Sequence, residues 1–186
     1  RHPGKPWADL LLAGVRFVAG ERKAAREQAE KIADQYKNKP GIQLKLARML
    51  LRHGEGDWAL ELALSRRNEI GFRISARLLA ATIYYSHGLP RRAWEILAIP
   101  AVERSSDLSA LQLRAKVYSA LGKHDEAMRC FQRILKDHPK NGMTHFLMAK
   151  TYRKTGENKK ALQNLRRACE LQPETGQFHA TYGDAL

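Results

Sequence analysis

Cysteine is scarce in this chain. The 186 residues contain two, Cys130 and Cys169, and they form no Cys-x-x-Cys pair. That argues against a disulfide framework and fits a reducing compartment. Long apolar runs are also missing. None approaches the ~20 residues a membrane-spanning helix needs. The opening stretch is apolar, but Asp9 and Arg16 interrupt it. It therefore reads as a helix of a folded domain rather than a signal peptide. No glycine-rich phosphate loop is present, since Gly54-Glu55-Gly56 reads as a turn between helices. The seven histidines show no metal-ligand spacing. His145 and His179 fall near the starts of successive helices and could approach each other, yet two ligands without a third are weak evidence for zinc. The expectation is a non-enzyme with no cofactor and no metal.

Acidic residues are the last shortage. There are 33 Lys+Arg against 19 Asp+Glu, a net charge of +14, with a pI of about 10.1. The excess is spread along the chain, +9 up to Ala93 and +5 beyond it, with no basic tail. Such a balance attracts acidic proteins, nucleic acid or anionic membrane surfaces.

What the sequence does have is a period. Ala13, Ala47, Ala81, Ala115 and Ala149 stand 34 residues apart. Gly20, Gly54, Gly88, Gly122 and Gly156 keep the same step, as do Ala25, Ala59, Ala93, Ala127 and Ala161. Three small-residue tracks in one register are the mark of a helical repeat array. Repeats begin near Pro6, Pro40, Ile74, Leu108, Gly142 and Gly176. Each has a helix A, a glycine turn and a helix B. The pattern predicts A helices near 7–19, 40–53, 74–87, 108–121 and 143–155. It predicts B helices near 22–37, 57–67, 90–99, 124–137 and 158–171. A sixth helix A follows Thr175, a candidate N-cap.

Some stretches depart from the pattern. The first helix A is apolar all round, with Leu10, Leu11, Leu12, Val15, Phe17 and Val18, so its outer side needs a cover. Repeat two ends irregularly across 65–73. Pro100 should stop the third helix B early, leaving 101–107 as the longest irregular segment before Ser106 or Asp107 caps the next helix. His53 and His87 precede turn glycines, where they can complement helix C-termini. The chain lacks an initiator Met and its last residue lies inside a helical pattern, so it reads as a fragment of a longer protein. No linker divides it, and a single domain over 1–186 is expected.

Repeat four supplies Leu111, Ala115, Tyr118, Ala127, Phe131 and Pro139. Repeat five supplies His145, Met148, Ala149, Tyr152, Ala161, Leu165, Ala168 and Pro173. In these residues the chain resembles the tetratricopeptide repeat family. Earlier repeats match less well, and Arg114 stands where an apolar residue is usual. The resemblance implies an all-α, right-handed superhelical solenoid of antiparallel helix pairs, about five and a half repeats long. It also implies a protein-protein interaction scaffold whose A helices line a groove.

By that resemblance the groove residues begin apolar, with Trp7, Leu10, Phe17 and Val18. They become basic with isolated aromatics: Arg48, Arg52, Tyr85, Lys116, Phe146, Lys150, Arg153 and Lys154. The expected ligand is an acidic partner segment with apolar anchors. Trp7, Leu10, Phe17 and Val18 at one end, with Phe178 and Tyr182 at the other, are expected as terminal apolar interfaces. These ends could support a homo-oligomer. The unpaired cysteines and the basic charge suit a cytoplasmic protein or the soluble domain of an inner-membrane protein. The resemblance suggests a bacterial membrane-associated secretion or assembly complex, such as exopolysaccharide export. The alternative is a nucleic-acid-binding repeat protein, based on Arg22, Lys23, Arg26, Lys31, Lys159, Lys160, Arg166 and Arg167 on B helices.

Overall fold

The computed structural model describes residues 5–68 and 73–185. The expected irregular end of repeat two falls partly outside them. Among the described residues the chain forms twelve helices and no strand. It divides into two compact units, residues 1–97 and 98–186.

The first unit holds α1 (Pro6–Val18), α2 (Arg22–Gln35), α3 (Pro40–Arg52), α4 (Gly56–Ser65), α5 (Arg73–Ser86) and α6 (Pro90–Leu97). Successive helices pair as antiparallel hairpins, and α4 also packs on α5. Pro6 and Pro40 open their helices, where no backbone N–H is required. Phe17, Ile32, Leu46, Leu50 and Ile83 fill the core. Gln43 is buried as well, but its amide donates to the Ala33 carbonyl at 2.8 Å, so the burial leaves no orphaned donor.

The second unit holds α7 (Pro100–Glu103), α8 (Leu108–Ala120), α9 (His124–Asp137), α10 (Gly142–Lys154), α11 (Asn158–Leu171) and α12 (Gly176–Gly183). One core gathers Leu111, Phe131 and Ile134 around Ala115 and Ala127. Another gathers Phe146, Leu165 and Phe178 around Ala149 and Ala161.

The tracks act as their register suggests. The ten alanines of the two tracks are all buried, which lets the helices of a hairpin approach closely. The five turn glycines have φ between 72° and 82°, a left-handed backbone that side chains with a Cβ avoid. At each, the residue after glycine donates its N–H across the turn, as Lys123 does to the Tyr118 carbonyl at 2.9 Å. This closes the helix end with a Schellman-type bond.

The irregular segment after Pro100 is more ordered than expected. Helix α6 stops at Leu97, and Pro100 opens the one-turn α7, which buries Val102. Ile99 is extended (φ −123°, ψ 142°), as a residue before proline must be. Arg114 explains itself here, because its guanidinium donates to the Glu103 carbonyl at 2.7 Å. The residue missing from the apolar pattern instead satisfies the end of α7. Asp107, not Ser106, caps α8 through its carboxylate, which accepts from the Ala110 N–H at 2.9 Å. Asn141 caps α10 in the same way, a signal the sequence carried in plain view. Thr175 makes no side-chain cap bond to α12, so its backbone carbonyl alone receives the Phe178 N–H.

Candidate protein-docking surfaces

Helices α8 and α10 pack side by side in the second unit. The buried Thr151 hydroxyl donates to the Ser119 hydroxyl at 3.1 Å and to the Leu147 carbonyl at 3.0 Å. Lys154 donates to the Ser119 carbonyl at 3.2 Å. Its ammonium thus serves the C-terminal turn of α8, where the helix dipole favours a cation. Lys154 is tethered and is not a freely available groove charge. Lys116 lies one turn before Ser119 on α8 and is half-buried. Lys150 is exposed, with its Nζ 5.6 Å from the Phe146 ring centroid. Arg153 is exposed. Neither Lys116, Lys150 nor Arg153 pairs with a carboxylate among the described residues.

Phe146 does not belong to an exposed surface. It is buried and stacks on Phe178 at 4.8 Å between centroids. Phe178 is fully buried, so it is core rather than a terminal interface; Tyr182 is half-buried against the same cluster. The apolar side of α12 folds inward because the α10–α11 hairpin covers it.

In the first unit Arg48 and Arg52 are exposed one turn apart on α3, and Tyr85 is half-buried on α5. Lys45 extends the same basic face. Its Nζ lies 3.4 Å from the Trp7 ring centroid, within cation–π range. The spacing of Lys45, Arg48 and Arg52 at i, i+3 and i+7 could have revealed it. At the start of the chain Trp7 is 56% and Val18 80% exposed, and Leu10 is half-buried. Phe17 is buried and lies parallel to the His53 ring at 4.9 Å, so it too is core. Leu11, Leu12 and Val15 are exposed on α1 and were missing from the expected site.

The other candidate groups have structural partners. His145 Nδ1 lies 3.0 Å from Asn164 Oδ1, and His179 Nε2 lies 3.0 Å from the Pro173 carbonyl. Each histidine is engaged separately. Among the described residues no three His, Cys, Asp or Glu side chains gather as metal ligands. Burial pushes both thiols, Cys130 and Cys169, above their ordinary range.

Five basic residues of α2 and α11 are engaged within the chain. Arg26 grips Glu55 with two bonds, at 3.1 and 2.6 Å, and Arg22 donates to the His53 carbonyl. On α11, Lys160 pairs with Glu157, and Arg166 and Arg167 share Glu170. The Lys160 bond holds Glu157 below the usual carboxylate range, and the Arg167 bond does the same for Glu170.

The family model for the tetratricopeptide repeat matches residues 107–174. Residues 107–174 are tetratricopeptide repeats. Its fold is similar to that of TTC0263, a thermophilic tetratricopeptide repeat protein of Thermus thermophilus, with a TM-score of 0.73 at 20% identity. That match covers 97% of this chain and 98% of the other. YrrB, described as a tetratricopeptide repeat protein with an unusual peptide-binding site, matches with a TM-score of 0.66 at 18% identity, over 93% and 90% of the two chains. A chain of the Cut9–Hcn1 hetero-tetramer of the APC/C matches with a TM-score of 0.76 at 19% identity, over all of this chain and 37% of that one. No curated protein matches by sequence. Tetratricopeptide repeat proteins are in general non-catalytic scaffolds for protein–protein interaction. Among the described residues no helix is long and apolar enough to cross a membrane.

Proposed function

We propose that this protein is a non-catalytic scaffold that docks an acidic segment of a partner protein across α8 and α10. One contrast carries the reading. In the second unit, three of the four cations of the B helix α11 are matched by glutamates at its start and within it, while Lys159 and the α9 cations Arg129, Arg133 and Lys136 are not, among the described residues. Lys116, Lys150 and Arg153 on the A helices face no such carboxylate among the described residues. Unmatched cations are available to an incoming acid, and the buried Phe146 ring beneath Lys150 gives them a rigid floor. The same unit's tethered Lys154 fixes the spacing of the two helices rather than contacting the ligand. Arg48 and Arg52, with Lys45, form a second basic face on α3 for the same class of ligand. Charges of this kind raise association rate and specificity more than affinity.

Titration with a fluorescent acidic peptide at two salt concentrations tests this. Binding should weaken with salt, and Lys116→Glu with Lys150→Glu should weaken it at least about tenfold. Unchanged binding in that pair refutes the assignment. Tighter binding to a single-stranded oligonucleotide than to the peptide points instead to nucleic acid. The setting suggested is a membrane-associated secretion or export assembly; a pull-down with the whole protein and identification of the main partner tests that.

A further inference from the structure

The exposed face of α1 carries no charge. Trp7, Leu11, Leu12, Val15 and Val18 are 44% to 80% exposed. With Ala8 and Ala19, also exposed, they occupy one continuous arc about 140° wide at 100° per residue. The only two charged residues of the helix lie at the arc's far border and are engaged by the body of the first unit. Asp9 accepts from the Tyr36 hydroxyl at 3.0 Å, and Arg16 reaches the Ala24 carbonyl.

The repeat itself shows what this face is built to do. Several residues at the same places in later A helices are covered, although Lys45, in the place of Leu11, and Arg52 and Ser86, in the place of Val18, are exposed. Leu12 corresponds to Leu46, which is 0% exposed; Leu11 corresponds to Leu79, at 7%; Val15 corresponds to Ile83, at 0%, and to Thr151, at 2%. In α3 and α10 the cover is another helix: α1 and α2 pack on α3, and α8 packs on α10. The face of α1 therefore has the form of a helix-stacking surface, and its five large side chains expose on the order of 600 Å², at the top of the range for the largest patch on a typical monomer.

We propose that a second copy of this chain covers α1, by antiparallel α1–α1 packing about a two-fold axis near Ala13. Size complementarity favours the second copy. In that arrangement Trp7 faces Ala19, Val18 faces Ala8, and Leu11 faces Val15, so large side chains meet small ones at both ends. Charge complementarity favours it as well. The arc's own residues are uncharged, and the cation at its edge is Lys45, whose ammonium sits over the Trp7 ring. The two-fold axis puts the two Lys45 side chains at opposite ends, so they do not meet. The area closes too: about 1,200 Å² across the axis reaches the lower limit for a specific interface. This surface is separate from the basic faces of the docking proposal and does not depend on it.

The salt dependence sets this contact apart. Each copy carries +14, so long-range repulsion opposes association at low salt and is screened at high salt. Sedimentation equilibrium of the protein up to about 300 μM, at about 50 and about 500 mM NaCl, reads it. The expected result is a monomer–dimer equilibrium that tightens at least about threefold at the higher salt. Leu11→Glu with Val15→Glu should leave a monomer with an unchanged circular dichroism spectrum, because both side chains are more than half exposed. Lys116→Glu with Lys150→Glu should dimerise at least as well as the wild type. A monomer at every concentration and both salts overturns the proposal, and so does a dimer that survives the double glutamate variant. Binding of the wild type to vesicles containing phosphatidylserine, lost in the glutamate variant with no dimer in solution, assigns the face to a membrane and also overturns it.

Discussion

Replacing Gly122 by alanine isolates the backbone cost of one chain reversal. Gly122 has φ +76°, and an added Cβ meets nothing within 4 Å. No clash contributes, so the penalty is that of a left-handed residue with a Cβ, about 1–2 kcal/mol. Alanine also removes freedom from the unfolded chain, which gives back about 0.4–1 kcal/mol. The net loss is on the order of 1 kcal/mol, or a fall in Tm of about 2–4 °C for a chain of this length. Gly122→Asn should lose less, because asparagine tolerates this conformation. Gly142 supplies the opposite case. Its φ is not positive, but a Cβ there lies 2.7 Å from Gln172 Oε1 and 3.2 Å from the Ala168 carbonyl oxygen. Asparagine should therefore be worse than alanine at 142 and better than alanine at 122. Urea denaturation followed by far-ultraviolet circular dichroism measures all four variants. If asparagine gives no advantage over alanine at 122, the left-handed backbone is not what selects glycine in these turns.

Three further outcomes are expected. Asp107→Ala removes the carboxylate that caps α8 and should cost about 1 kcal/mol, with faster amide exchange at Ala110. The folded carboxylates of Glu157 and Glu170 titrate below their unfolded values. The stability they add is present above the unfolded carboxylate pKa and is lost as pH falls through the folded one. Carboxyl NMR titration should place both below the value of a glutamate in the unfolded chain, and high salt should erase much of the difference because the pairs are exposed. Cys130 is buried and its thiol is pushed up, so it should react with a thiol reagent far more slowly than the unfolded chain does at about pH 8.

The period made most of the fold legible. Alanine and glycine at fixed steps leave only one arrangement in which helices pack closely and reverse tightly, so the hairpin boundaries followed within a few residues. Where long-range partners decide, the sequence was opaque. Arg114 broke the apolar pattern, and only the Glu103 carbonyl beside it explains the choice. Pro100 announced an end to α6 but not the start of α7. The binding surface was harder to read than the fold. Position within a repeat does not separate an exposed ring from a buried one, and Phe146, Phe17 and Phe178 all proved to be core. Nor does it show that Lys154 is held by Ser119 while Lys150 is not. On α1, by contrast, the all-round apolar composition pointed straight at an uncovered face.

The Ser119 bonds carry a consequence for how the chain is made. Thr151 and Lys154 reach residues 32 and 35 positions earlier, and Arg26 and Arg22 span 29 and 31 positions to Glu55 and His53. Each polar clasp joins one repeat to the next. During synthesis, the last turn of α8 must wait for α10 to leave the ribosome before its serine is satisfied. A repeat closed by such a clasp is thus one repeat behind its final state, and a pause in translation between residues 120 and 154 would leave an open clasp for a chaperone to find.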